Sequence, residues 1–453
     1  MENVTRLLLP DVAEALRNDP RSVVELTEEL HPVDLADLCA ELDDGLQLAL
    51  VRALPVVDGA RLLEALERQE RVDLFGRLAT AALDAAVDVA EAMAPDERAD
   101  LFGELSEDTR TALLAKMERA ESRDVQQLLA YPEDTAGALM TTNFVALSGE
   151  ATCARAIEDV RRSAAEMETI YEAYAVDPHG TLLGVVSLRD LVLAKADKAI
   201  AEVMQPNVIS VDVEADQEEC ARLIAKYDLL ALPVMDRARR IVGIITVDDV
   251  VDVLQDEATE DAQKLGAVEP LEDSYFNTGF WALVKKRYKW LVILFVGGLF
   301  TGTAMKSFAG ELRLVPALLL MVPLIISSGG NAGSQSASLM IRALAVGEVR
   351  PRDFARIVLR ELAIGLALGV LLSVVGLGRV LLWPETRSTA FVLTVCSAIV
   401  GVVALGATVG AGLPLVLRRL GLDPAVSSTP FIASLVDVLG LVMYFELARL
   451  FLF

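Results

Sequence analysis

The sequence predicts a multidomain membrane protein. An all-α superhelical domain (residues 1–130) precedes an α/β repeat pair (131–200 and 201–255), an acidic connecting helix with its linker (256–284) and a five-helix transmembrane domain (285–453). Three observations predict it: charge and hydropathy change together near Val284, residues 140–255 repeat internally, and residues 1–130 alternate short helical periodicities with polar stops.

The charge is divided unevenly. From Lys285 onward 16 Lys/Arg face 8 Asp/Glu, whereas residues 1–284 hold 25 basic and 58 acidic residues, so the net −25 is −33 followed by +8. The acidic part repels itself unless cations or a partner screen it, and a halophile-like surface gives the same count. No nucleic-acid partner is expected. Cys39, Cys153, Cys220 and Cys396 are dispersed without a CxxC, which reads as small apolar fillers in a reducing compartment.

In the first domain Val33-Asp-Leu-Ala-Asp-Leu38 is echoed by Val87-Asp-Val-Ala-Glu-Ala92, each followed by an acidic turn and another apolar-periodic stretch. Stacked helical hairpins follow from such an echo.

In the repeat pair Met140 corresponds to Met204, and Gly184-Val-Val-Ser-Leu-Arg-Asp190 to Gly243-Ile-Ile-Thr-Val-Asp-Asp249. The spacing falls from 64 to 59 residues, so the second copy has the shorter middle. Each copy reads as a short strand, a helix (Ala151–Ala165 or Gln217–Tyr227), a two-stranded hairpin and a closing helix. A hydroxyl and a carboxylate three residues apart at a strand-to-helix turn serve equally as a helix cap or as a grip on a ribose.

Asp248 to Asp261 reads as a helix with seven carboxylates: Asp248, Asp249, Asp252, Asp256, Glu257, Glu260 and Asp261. Like charges on neighbouring turns weaken an isolated helix, and a divalent cation bridging it to other acids reverses that penalty.

The apolar part gives spans near Trp290–Phe308, Val315–Met340, Phe354–Leu382, Ala390–Leu417 and Ala425–Leu452. Lys285, Lys286, Arg287 and Lys289, then Arg342, Arg350, Arg352 and Arg356, then Arg418 and Arg419 fall on one side, while the opposite loops carry only such cations as Arg313, Arg379 and Arg387. The positive-inside rule makes the first side cytoplasmic, with the acidic region in the cytoplasm and the C-terminus outside the plasma (inner) membrane. No charged-then-apolar leader opens the chain, so insertion is expected to start from these spans.

Two features of the spans carry chemistry. The second contains Pro323 and Gly329-Gly-Asn-Ala-Gly-Ser-Gln335, expected to break the helix and free the carbonyls of Gly329 and Gly330 beside Asn331 as ion ligands. The other reading is a small-xxx-small packing face. The fifth carries Asp437, with Thr429, Ala433, Gly440 and Tyr444 on the same helical face. A carboxylate at that depth marks an ion or a proton path. Glu361 beside Arg360, and Glu446 three residues before Arg449, read as interfacial pairs.

These residues in this order resemble the MgtE-type magnesium channel family over nearly the whole chain. The matching stretches are His31-Pro32 with Asp34–Asp37, Tyr131-Pro-Glu-Asp-Thr-Ala-Gly137 with Met140-Thr-Thr142, the repeat pair, which resembles tandem CBS modules, Asp248–Asp261, Gly329–Gln335 and Thr429-Pro-Phe-Ile-Ala-Ser-Leu-Val-Asp437. The resemblance implies a homodimer in the lipid bilayer with a central pore lined by the second and fifth spans. Hydrated Mg²⁺ would pass Asp437, Ala433, Thr429, Gly329, Gly330 and Asn331. It also implies that the acidic helix gates the pore. Mg²⁺ would be sensed by Asp96, Asp100, Glu218, Asp228, Asp249, Asp252, Glu257, Glu260 and Asp261. In CBS modules the resemblance assigns nucleotide contacts to Ser187, Arg189, Asp190, Pro233, Thr246 and Asp249, which leaves ATP open as a regulatory ligand. One departure stands against it: Glu172 and Leu229 occupy positions where relatives commonly carry stacking aromatics, although Tyr171 and Tyr174 are near.

Other classes fit less well. There is no G-x-x-x-x-G-K-[ST], no H-E-x-x-H and no G-x-S-x-G, and only His31 and His179 are present, so an enzyme or ATP-driven pump is not expected. A secondary divalent-cation exchanger coupled to H⁺ or Na⁺ stays open as the alternative.

Overall fold

The computed structural model describes residues 2–164, 167–271, 275–382 and 388–453; Ala165 and Arg387 lie outside them. The chain divides into two compact units, Met1–Asp256 and Glu257–Phe453.

The first unit opens with ten helices among the described residues, from Glu2–Asn18 to Arg119–Leu128. Their starts are set locally. His31 Nδ1 accepts from Val33 N–H at 3.3 Å with Pro32 in the first turn, and Asp43 Oδ1 accepts from Leu46 N–H at 3.0 Å. The two echoed segments lie on helices Pro32–Ala40 and Leu83–Ala92, which pack against the same helix, Val56–Glu64. One apolar core runs from Val12 to Val125, so the helices form the stacked, superhelical array that the echo predicts.

Two three-stranded sheets follow. β1 (Ala146–Ser148) runs parallel to β2 (Glu172–Val176), which pairs antiparallel with β3 (Leu182–Ser187). β4 (Val211–Asp212), β5 (Ala231–Met235) and β6 (Ile241–Thr246) repeat the order, and each hairpin has its register shift at the equivalent place, Ala175/Val176 and Val234/Met235. The helices are Cys153–Ser163 and Gln217–Tyr227, with closing helices Leu188–Leu193 and Val247–Leu265. The repeats exchange their entry segments: Thr141 bridges Ile244 of the second copy, and Gln205 bridges Val185 of the first.

The second unit contains five helices long and apolar enough to cross a membrane: Phe280–Ser307, Ala317–Ala345, Phe354–Leu382, Thr389–Arg419 and Thr429–Leu452. The first begins ten residues before its apolar segment, because the basic run Lys285–Lys289 continues the helix. The fourth packs against the second, third and fifth.

The expected break in the second helix is corrected. The helix is continuous from Ala317 to Ala345 through Pro323 and Gly329–Asn331. Gly329 and Gly333 are buried against the fourth and fifth helices; a Cβ at Gly333 would stand 3.1 Å from the carbonyl oxygen of Gly406. Close tertiary packing therefore overrides the poor helix propensity of glycine, and the carbonyls of Gly329 and Gly330 remain within the helix.

Candidate cation path and acidic cluster

The fifth helix starts after Pro424–Val426 and carries Asp437 in its third turn. A Cβ built on Gly330 would lie 3.6 Å from Ala433 Cβ and 3.8 Å from Asp437 Oδ1, so the second and fifth helices bring Gly330, Ala433 and Asp437 together. Asp437 is half-buried, and no hydrogen bond or ion pair reaches it from the described residues. Asn331 is exposed, its amide 3.4 Å from Ser327 Oγ. The hydroxyl of Thr429 donates to the carbonyl of Leu265 at 3.2 Å, and its own carbonyl accepts from Ser334 Oγ at 3.4 Å. Gly329 does not join this group. It faces Val402 and the backbone of Gly406, the packing role that the sequence left as the other reading.

Of two further acids, Glu361 has a partner that sequence spacing did not show and Glu446 keeps the expected one. Glu361 accepts from Ser336 Oγ of the second helix at 2.7 Å, which corrects the expected pairing with Arg360. Glu446 does meet Arg449 at 2.8 Å, and Arg449 also holds Glu311 at 2.7 Å and lies 4.5 Å from the Phe308 ring centre.

In the first unit Asp96, Glu97 and Asp100 share the helix Pro95–Glu104. Burial pushes the Asp96 carboxyl well above the usual range, helped by the charges of Asp249, Glu168 and Glu97, and its Oδ1 is buried with no hydrogen-bond partner. Burial raises Asp249 to about 6 despite hydrogen bonds from Thr246, and Asp100 to about 6 with Glu97 beside it. Glu168 is pushed up to about 7 by burial and by Asp249, Asp248, Glu64 and Glu97. Glu97 is also raised by burial, against the pull of its ion pair with Arg71, and senses Glu64 and Asp252. A divalent cation is the natural ligand for such mutual repulsion. No group of three carboxylates among the described residues is already closed into a metal-holding set.

Glu64, Glu97 and Glu168 were missed by sequence reasoning. Glu97 had a signal, its place next to Asp96 in a first helical turn; Glu64 and Glu168 had none. Glu218 and Asp228 stand at opposite ends of the helix Gln217–Tyr227. Glu218 N–H donates to Asp216 at 2.9 Å, and Asp228 is the left-handed C-cap with φ 53°. At the other end of the acidic helix Glu260 pairs with Lys264, and burial together with Asp423 raises Asp261. Glu257 lies on the same helix, Val247–Leu265.

At the first repeat turn the cap is formed, and at the second the hydroxyl and carboxylate bond each other. Ser187 Oγ donates to Asp190 Oδ2 at 2.7 Å and accepts from Asp190 N–H at 3.0 Å; Thr246 Oγ1 donates to Asp249 Oδ2 at 2.5 Å. Asp190 also lines an open cavity of about 490 Å³ with Lys195, Lys198 and Glu202. Arg189 is exposed and Pro233 is buried in β5. Tyr174 is fully buried edge-on to Phe144, whereas Tyr171 is exposed and free to stack.

Known proteins show the same parts in the same order. Residues 322–447 match a family model described as a divalent cation transporter, residues 30–134 the MgtE intracellular N domain, and residues 136–197 and 200–256 the CBS domain. The magnesium transporter MgtE of Thermus thermophilus is 40% identical over 455 residues, 98% of both chains, and that of Bacillus subtilis 33% identical over 434 residues, 96% of this chain and 94% of its own. Among solved structures, the soluble part of a magnesium transporter is 33% identical with a TM-score of 0.53, covering 56% of this chain and 99% of its own. The cytosolic domain of the Mg²⁺ channel MgtE in complex with ATP is 37% identical with a TM-score of 0.51, covering 54% of this chain and 99% of its own. With identity sustained over 98% of the chain and each domain matched in turn, the chain belongs to the MgtE family.

Proposed function

We propose that this chain is a Mg²⁺ channel that admits the hydrated ion to the cytoplasm down its electrochemical gradient and closes when Mg²⁺ binds its acidic cytosolic part. The observation that carries the reading is Asp437, a carboxylate on an apolar helix that receives no hydrogen bond or ion pair from the described residues and stands beside Gly330 and Ala433. A charge at that depth is retained for an ion path. The small residues leave room for an ion that keeps its water shell, since Mg²⁺ dehydrates reluctantly and demands octahedral geometry. In a homodimer the two-fold axis would set two Asp437 carboxylates opposite one dication and match its charge.

Regulation follows from the acidic cluster. Mg²⁺ between the acids of helix Pro95–Glu104 and those of Val247–Leu265 would relieve their repulsion and hold the gating helix. Asp96, Asp100, Asp249 and Asp252 form the core of this proposed sensor with Glu97 and Glu168, while Glu257, Glu260 and Asp261 serve the lower helix. ATP is proposed as a regulatory ligand of the repeat pair, supported by the ATP complex of a related cytosolic domain and by Asp190, Lys195 and Lys198 at one cavity. The basic loops orient the N-terminal region to the cytoplasm.

Flux into proteoliposomes under an imposed Mg²⁺ gradient tests the proposal. Flux with no H⁺ or Na⁺ gradient is expected, as is its loss in folded Asp437→Ala and Asp437→Asn. Undiminished flux in the variants refutes the ion ligand, and dependence on an H⁺ or Na⁺ gradient favours the exchanger.

A further inference from the structure

Lys264 is the cation in the last turn of the acidic helix Val247–Leu265. Its ammonium pairs with Glu260 one turn earlier and reaches Asp423 Oδ2 at 2.8 Å, 159 residues further along the chain. The pair is largely covered, the Lys264 side chain being 27% and Asp423 38% exposed. Asp423 is fixed in turn, its other oxygen accepting from Ala425 N–H at 2.8 Å in the short turn Pro424–Val426. A second contact lies one residue beyond the lysine: Leu265 O accepts from the hydroxyl of Thr429, the first residue of the fifth helix. Both ends of the turn that opens the Asp437 helix are thus held by one end of the acidic helix.

We propose that Lys264 is a built-in counter-cation, tying the acidic helix to the turn before the Asp437 helix and biasing the path toward closure without help from a divalent ion. A bound Mg²⁺ has to find its place in each cycle, whereas this ammonium is carried on the helix itself. The carboxylates of Glu260, Asp261 and Asp423 gather at this end, and a single positive charge among them leaves an attraction for Mg²⁺ while supplying part of the closing contact in its absence. The inference rests on the channel reading for its flux readout, and on geometry alone for its structural one.

The test uses full-length protein with two readouts. In magnesium-free detergent solution, hydrogen exchange of the amides of Glu260–Leu265 is expected to accelerate in Lys264→Met and to stay at the parental rate in Lys264→Arg. In proteoliposomes the Mg²⁺ concentration that half-closes the path is expected to rise at least about fivefold in Lys264→Met. The double variant Lys264→Met/Asp423→Asn is expected to shift no further than the single one, since one contact cannot be removed twice. Unchanged exchange overturns the tether. A fall in the half-closing concentration also overturns it, because the lysine would then compete with the ion. A parental protein that Mg²⁺ does not close refutes the channel reading, and the exchange rates still decide the tether.

Discussion

The backbone of Gly329 fills the space where a side chain at Gly406 would stand. A Cβ built on Gly406 would lie 3.0 Å from the carbonyl carbon of Gly329, and one turn on, a Cβ on Gly410 would lie 2.8 Å from that of Gly333. The second and fourth helices therefore touch backbone to backbone over two turns. That contact also sets what flanks it. Gly330, a third of a turn away from Gly329, faces Ala433 and Asp437, while Ser328 on the other side is half-buried.

Alanine at Gly406 or Gly410 forces these helices apart. Each is expected to lose about 1–3 kcal/mol of stability, measured as unfolding in detergent. Alanine at Gly298, where nothing lies within 4 Å of the added atom, is expected to stay within about 0.5 kcal/mol of the parent.

Alanine at Gly184 or Gly243 meets the exchanged entry segments. The added Cβ would lie 2.7 Å from Met204 Sδ and 2.9 Å from Gln205 O at the first position, and 2.6 Å from Met140 Sδ and 2.8 Å from Thr141 O at the second. The methionines can swing aside, but the carbonyls belong to bridged backbone. Each variant is expected to lose about 1–3 kcal/mol, read as faster proteolysis between residues 140 and 250.

Removal of the Glu361 carboxyl leaves Ser336, only 7% exposed, without its acceptor on the third helix. Glu361→Ala is expected to destabilise the second unit by about 1–3 kcal/mol, whereas Glu361→Gln keeps an acceptor oxygen and is expected to melt close to the parent.

The parts legible in the sequence are those fixed by local pattern. Apolar length marked the five long helices, the 64- and 59-residue offsets marked two copies of one fold, and Ser187-x-x-Asp190 and Thr246-x-x-Asp249 marked the hydroxyl–carboxylate pairs, the first of them a helix cap. The errors came where a distant partner decides. Pro323 and the glycines argue locally for a break, yet Gly406 and Gly410 reward a continuous helix with close contact. Glu168 sits in the loop before β2 with no spacing to connect it to Asp249, and Lys264 and Asp423 are 159 residues apart. Nothing in the neighbourhood of Glu361 pointed to Ser336, because a hydroxyl on an apolar helix most often bonds its own backbone, as Ser397 does to Leu393 O at 2.6 Å.

The crowded, partly desolvated acids make the first unit sensitive to pH in a direction opposite to that of ordinary ion-paired carboxylates. Glu168 is raised from 4.5 to about 7, and Asp249 and Asp100 from 3.8 to about 6, each chiefly by burial. Between the ordinary and the raised values the folded unit holds more protons than the unfolded chain. Its stability is therefore greatest at the acid end of that window and declines as pH rises through 6 and 7. Mg²⁺ bound to these carboxylates removes the repulsion and expels the protons, so it restores most at high pH and binds more weakly near pH 6, where protons compete. Hydrogen exchange of the Met93–Phe102 amides, corrected for intrinsic rates, is expected to lose at least about tenfold protection between about pH 5 and about pH 8 without Mg²⁺, and to regain it in millimolar Mg²⁺. Glu168→Gln carries no charge at any pH, so it is expected to flatten the slope and weaken the Mg²⁺ response. A protection profile that climbs with pH in the metal-free protein would mean that these acids are held by cationic side chains rather than by burial, and the proposed sensor would lose its driving force.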